Sequence, residues 1–344
     1  LVAPGSNSST PTYVAILKAK QGELLAVQTA PPENFIPLFE VVESTKVAGV
    51  GRAWPHVDHV AWFQALNLGG LDSQDWADRV SEMLTELRLV GAVVTPVVTL
   101  DDTNEVLAVV REAIKVDSRG IVLRIDCEEA LEEETPDLSL AIDRVLQECG
   151  ITASECDLVL DAGLVGGPAA VQSGVAQSAL DALPHVTTWR NLVVAFSAFP
   201  DVVGERVPPS SVAAIPRTDA AAFNHLLTRW SKRTLVYADY AVGVPTYADV
   251  KWSPIPNIRY CIKDKWMVHR AETKLNPSPQ YIRLATDVSK ASYFSGAEFS
   301  PGDRYIYDVA TGVDGPGNAG SYLKAAMSRH FHVVLDTLAN GGAP

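Results

Sequence analysis

Positive charge is scarce in this sequence: 28 Lys and Arg stand against 41 Asp and Glu, for a net charge of −13. That balance excludes the broad basic footprint a nucleic-acid backbone demands and leaves room only for a local basic pocket. No run of about 18 apolar residues occurs, so no membrane span is expected. Cysteine is sparse too. Cys127, Cys149, Cys156 and Cys261 fit neither a zinc spacing nor a C-x-x-C redox motif, and they read as buried thiols of a reducing, cytoplasmic compartment. The opening "LVAPGSNSSTPT" has no basic stretch followed by a long apolar one, so residues 1–12 read as a flexible tail and not as a signal peptide. Also missing are the strand–G-x-G-x-x-G–helix fingerprint of dinucleotide binders and the G-x-S-x-G elbow of hydrolases.

What is present is a hydrophobic fraction of 47% in 344 residues, enough for a large core. Strand-like runs begin "YVAILKAK" (13–20), "NFIPLFEVVE" (34–43), "VDHVAWFQAL" (57–66) and "AVVTPVVTL" (92–100). They continue with "IVLRIDCEE" (121–129), "CDLVLDAG" (156–163), "RNLVVAFSAFP" (190–200) and "TLVYADY" (234–240). Helical periodicity separates them. Trp76, Val80, Met83, Leu84 and Leu87 recur at helical spacing behind an Asp72–Asp75 cap, and Asp102 with Glu105 opens a second helix. Strands alternating with helices imply right-handed βαβ units and a parallel sheet. Eight such units predict a (β/α)8 TIM-like barrel of the α/β class, with an open doubly wound sheet as the competing arrangement.

"IRYCIKDKWMVHRAE" (258–272) breaks at Lys263-Asp264-Lys265 and reads as a β-hairpin. Ser300, Pro301 and Asp303 form a helix start, and the last segment reads as a helix followed by a short strand or a second helix. The expected organisation is one barrel domain over 13–340, with a hairpin insertion at 245–285 and a C-terminal helical extension at 286–340.

Strand parity locates the candidate site. In "IVLRIDCEE", Val122, Arg124 and Asp126 share one face, while Ile121, Leu123 and Ile125 share the other. If the charged faces point into the lumen, Lys18, Glu40, Arg124, Asp126, Asp161, Ser197, Tyr237 and Asp239 gather towards the strand C-termini, where barrel active sites are built. Glu40, Asp126, Asp161 and Asp239 are the candidate acid, base or hard-metal groups, with Mg²⁺ or Ca²⁺ as the cation such oxygens would hold; no cofactor is firmly implied. Lys18, Arg124, Ser197 and Tyr237 are the candidate ligand-binding groups, the two cations suiting a phosphate or carboxylate. The alternative is a structural ion network. His330 and His332 would share a face on a strand, but no further metal ligands can be placed beside them. Trp252, Tyr260 and Trp266 suit packing under the hairpin better than a ligand mouth.

The order of "YVAILKAKQGE", "IPLFEV", "LRID", "ADY", "IRYCI…KWMVHR", "FSPGDRYI" and the late "GN…HFH" resembles the "Beta protein" family of phages and bacterial genomes, over about residues 13 to 335. That resemblance implies a cytoplasmic protein of prophage or defence-type gene neighbourhoods. It carries over no reaction and no catalytic residue. Two functions fit the whole. One is a barrel enzyme or binder acting on a small anionic ligand, most concretely a phosphoester hydrolase of phosphodiesterase type. The other is a non-catalytic module that recognises a partner protein in phage–host conflict or antiphage defence.

Overall fold

β-Branched and aromatic runs make the strands, as their preference for a pleated, buried surface dictates. The computed structural model describes residues 13–132, 135–247 and 254–344. The strands are β1 (Tyr13–Leu17), β2 (Phe35–Val42), β3 (Ala61–Leu66), β4 (Val94–Val98), β5 (Ile121–Asp126), β6 (Cys156–Leu164), β7 (Leu192–Ser197), β8 (Ser211–Pro216), β9 (Val236–Asp239), β10 (Asn257–Ile262) and β11 (Lys265–Arg270). β1 to β7 and β9 close into an eight-stranded parallel barrel. Closure runs through β9, which sets Val236 beside Val193 of β7 and Tyr237 beside Tyr13 of β1. All eight predicted barrel strands are present, and the open-sheet alternative falls away. The expected tail at 1–12 and Trp252 lie outside the described residues.

Two hydrophobic layers result from the strand alternation. Inward-facing Val14, Leu38, Trp62, Val122, Val159 and Val193 fill the lower lumen. Outward-facing residues pack under the helices in a larger, separate core. The helix Ser73–Leu89 buries Trp76, Val80, Met83, Leu84 and Leu87, and Asp72 caps it by accepting from the Gln74 and Asp75 N–H groups at 3.0 and 2.9 Å. The next helix starts at Asn104, because the Asp102 carboxylate is spent on the Thr99 N–H at 2.8 Å.

The expected hairpin is β10–β11, but it has a third partner. β11 pairs antiparallel with β8, giving the order β10–β11–β8. β8 escapes sequence reading because "SVAAIP" is short, half alanine and proline, and half exposed. One face of this sheet meets the helices Pro277–Ser289 and Pro301–Thr311 through Ile258, Tyr260, Tyr281, Leu284 and Ile306. Ser300 caps the second of these by accepting from the Asp303 N–H at 3.1 Å, as its sequence predicts. The chain then returns to the barrel as one 21-residue helix, Ala319–Ala339, where a break into a strand was an expectation. This helix lies along Gln21–Val27 and reaches the base of the barrel, with Phe331 packed 5.1 Å from Phe35.

Candidate functional site

A step of two residues carries each luminal strand from apolar filling to a polar end. Ile16 leads to Lys18, Leu38 to Glu40, Trp62 to Gln64, Val122 to Arg124, Val159 to Asp161 and Ala238 to Tyr240. These six polar side chains meet at the C-terminal mouth. Arg124 is the hub. Its Nη1 donates to Glu40 at 2.7 Å and to Gln64 at 2.5 Å. Its Nη2 donates to Asp161 at 2.6 Å and to Tyr240 at 2.5 Å, and its Nε reaches the same Asp161 oxygen at 3.1 Å. All five guanidinium N–H groups are thereby engaged.

Glu40 turns its other oxygen to the Lys18 ammonium, which also donates to the Pro245 carbonyl at 2.5 Å and lies over the Tyr240 and Tyr247 rings. Two cations face two carboxylates, so the set is charge-balanced. Burial would lower the Arg124 guanidinium, but Tyr240, Asp161 and Glu40 outweigh it and raise it well above the usual value. Burial likewise pushes the Tyr240 hydroxyl far up, against the pull of Arg124, so it stays neutral and donates to Asp161 at 2.5 Å. Lys18 and Arg124 keep 9% and 12% of their side chains exposed, so the mouth is reachable from solvent.

Of the eight expected site residues, four are thus joined in one network: Lys18, Glu40, Arg124 and Asp161. Ser197 tops the luminal face of β7, buried, and its hydroxyl has no hydrogen-bond partner among the described residues. Asp126 is exposed and accepts from the Glu128 N–H at 2.7 Å, so its carboxylate caps the helix Cys127–Glu132 instead of entering the lumen. Tyr237 and Asp239 correct the parity read for the last barrel strand. Val236, Ala238 and Tyr240 face the lumen, while Tyr237 and Asp239 face outward. The charge on Asp239 is no guide there, because the outer layer supplies its own cations.

That outer set forms a second sealed network. Asp239 receives the Tyr13 hydroxyl at 2.6 Å, the Ala241 N–H at 2.9 Å and His330 Nε2 at 2.8 Å. Arg217 lies 3.4 Å from Asp239 and 3.2 Å from Asp219, and it donates to the Tyr237 hydroxyl at 2.9 Å. Burial alone would lower His330, but Asp239 and Cys261 push it up to about 9. His332 does not share this face: positions two apart lie on roughly opposite sides of a helix, and His332 Nδ1 instead meets the Ser328 carbonyl at 2.7 Å. Trp266 stacks on His330 with centroids 6.0 Å apart, and Tyr260 lies under Arg329, so both aromatics pack the hairpin as expected. Among the described residues no three His, Cys, Asp or Glu side chains gather as a metal-binding group.

Sequence reasoning missed three members of the mouth. Gln64 and Tyr240 obey the same two-residue step, and applying it to every strand would have found them. Glu23, in the first turn of the helix after β1, is buried at 4% exposure, and it accepts from the Lys20 N–H at 3.0 Å. Burial pushes its carboxyl up to about 7; Lys20 and Lys18 oppose the rise, and Glu40 adds to it. No periodic signal in "KAKQGE" marks it.

The model of the Beta protein family matches residues 13–336. The chain belongs to the Beta protein family. No curated protein matches the sequence. Among solved structures, it is similar to a Coccidioides immitis protein described as a candidate fructose-1,6-biphosphate aldolase, at 10% identity over 96% of this chain and 92% of that one, with a TM-score of 0.32. It is also similar to the enoyl reductase domain of MlnA from Bacillus amyloliquefaciens, at 10% identity over 97% and 83% of the two chains, with a TM-score of 0.35. Among the described residues of this Beta-family chain, no helix is long and apolar enough to cross a membrane.

Proposed function

We propose that this Beta-family barrel binds a small ligand bearing a phosphate-type anionic group at its C-terminal mouth and transfers protons on it, as a hydrolase of phosphodiesterase type would. The observation that carries this reading is the convergence of Lys18, Glu40, Gln64, Arg124, Asp161 and Tyr240 above an apolar lumen. The lower lumen is filled by Val, Ile, Leu, Ala and Trp, so closing the barrel does not call for charge. Buried ion networks add little net stability over well-packed hydrophobic residues, which favours a chemical role for this one. Glu23, poised near neutrality beside Lys18 and Glu40, is the proton-transfer group. Lys18 meets the anion, because Arg124 has no N–H left to offer. Glu40 and Asp161 already neutralise the two cations, so the proposal assigns no resident Mg²⁺ or Ca²⁺. Four buried free thiols suit a reducing cytoplasm.

The test is a thermal-shift screen of phosphorylated metabolites, since a ligand that binds only the folded state raises its stability. A metabolite should raise the Tm of the wild type and not of Asp161→Asn, while Glu23→Gln binds it without turnover. Unchanged shifts and turnover in both variants would sink the proposal.

One observation favours a second reading, a non-catalytic recognition module in phage–host conflict or antiphage defence: the luminal network is charge-balanced and its Arg124 hub is fully spent. The exposed Lys263-Asp264 tip of the β10–β11 hairpin would then meet a partner protein. Reversing both charges there should abolish capture of that partner while Asp161→Asn leaves capture intact.

A further inference from the structure

We infer that Arg259 is an oxyanion receptor at the rim of the barrel mouth, taking a phosphate group of the ligand. The inference rests on the reading of the mouth as a ligand site. Arg259 lies on the barrel-facing side of β10. Its guanidinium sits 4.6 Å from the Phe199 ring centre, just beyond the end of β7, and its Nη1 donates to the Val242 carbonyl at 3.0 Å, just beyond the end of β9. The group therefore lies over the loops that follow the seventh and eighth strands of the barrel. In parallel barrels that is a frequent place for phosphate.

The charge of Arg259 is what remains to be answered. Arg124, Arg217 and Arg329 each meet a carboxylate. Arg259 forms no ion pair among the described residues; besides Val242 it donates only to Asn257 Oδ1, at 3.3 Å. Two of its five N–H groups are used, and the other three have no partner among the described residues. Burial pushes the guanidinium down to about 10, with little opposition from Tyr281. A partly buried cation with no carboxylate among the described residues favours an anion beside it. The planar fork of N–H donors suits two oxygens of a phosphate, and stacking on Phe199 fixes its plane.

The test uses inorganic phosphate with the full chain, by calorimetric titration and by thermal unfolding in a chloride buffer. The wild type should bind phosphate saturably and gain Tm. Arg259→Gln should bind roughly tenfold more weakly or worse, as loss of charge-assisted hydrogen bonds implies, and Arg259→Lys should fall between. Arg259→Met should show a phosphate-free Tm at or above the wild type, because it removes a partly buried charge that has no carboxylate partner among the described residues. No saturable binding by the wild type, or equal binding by Arg259→Gln, overturns the inference. So does a marked fall in the phosphate-free Tm of Arg259→Met, which makes Arg259 a structural tie to Val242. The luminal reading is tested with metabolites and Asp161→Asn, so its failure is distinguishable from failure of the Arg259 inference.

Discussion

Asp239 and His330 stand 91 positions apart in the chain and meet 2.8 Å apart, both fully sealed from solvent. The contact fastens the helix Ala319–Ala339 to the outer face of β9. Its pH dependence follows from the two shifts. Asp239 and Cys261 raise His330 from 6.5 to about 9 against the effect of burial, so its contribution is complete below 6.5 and disappears as pH rises through 9. Burial would raise Asp239, but His330 and Arg217 hold it near 2, below its ordinary 3.8. Its contribution is complete above 3.8 and is lost as pH falls through 2. Unfolding free energy measured in urea should therefore decline between pH 6.5 and 9. His330→Gln should flatten that decline and cost about 3 kcal/mol at pH 6, the lower range for breaking a buried pair. A wild-type slope retained in His330→Gln would show that other groups govern the alkaline limb.

Arg329 and Asp303 make the corresponding tie on the far side of the small sheet. Arg329 Nη1 lies 2.7 Å from both Asp303 oxygens, and its Nε donates to the Cys261 carbonyl at 2.6 Å. Asp303 also receives the Tyr260 hydroxyl at 2.7 Å and the Ser300 hydroxyl at 2.6 Å. One carboxylate thus joins β10 to two helices. Asp303→Ala leaves a buried guanidinium without its anion and should destabilise the chain by about 3–5 kcal/mol. Asp303→Leu combined with Arg329→Met removes both charges and should recover most of that loss. Denaturant titration of the single and double variants decides it: a double variant less stable than the single would mean the pair stabilises the fold outright.

The barrel was legible because its strands are dense in Val, Ile and Leu, and because the two-residue step from Val122 to Arg124 or from Val159 to Asp161 is a local pattern. Helix caps at Asp72 and Ser300 were legible for the same reason: donor and acceptor are three residues apart. What failed was whatever depends on partners distant in sequence. The parity of β9 was misread because four residues give too short a pattern and Asp239 finds its cations, Arg217 and His330, 22 and 91 residues away. Asp126 passed for a luminal group until the helix start at Cys127 claimed its carboxylate. Closure of the Arg124 network rests on side chains from four strands and from the residues just beyond two more, and no single segment encodes it. The motifs that carried the family resemblance acquire physical content here: "FSPGDRYI" and "HFH" hold Ser300, Asp303 and His330, which anchor the C-terminal segment.

Glu23 separates chemistry from scaffolding at the mouth. Its carboxyl moves from 4.5 in the unfolded chain to about 7 in the folded one, with burial as the main cause. The folded state therefore holds the proton more tightly, and stability falls as pH rises from 4.5 through 7. A shift of that size corresponds to about 3 kcal/mol. Glu23→Gln keeps an oxygen for the Lys20 N–H and never ionises. Its Tm should match the wild type near pH 4 and exceed it at pH 8. That window starts and ends below the His330 window and overlaps it only between pH 6.5 and 7, so Tm profiles of the wild type, Glu23→Gln and His330→Gln resolve the two groups. If Glu23→Gln gains nothing at pH 8, its carboxylate is solvated or paired on ionising, and the mouth loses its proton-transfer group.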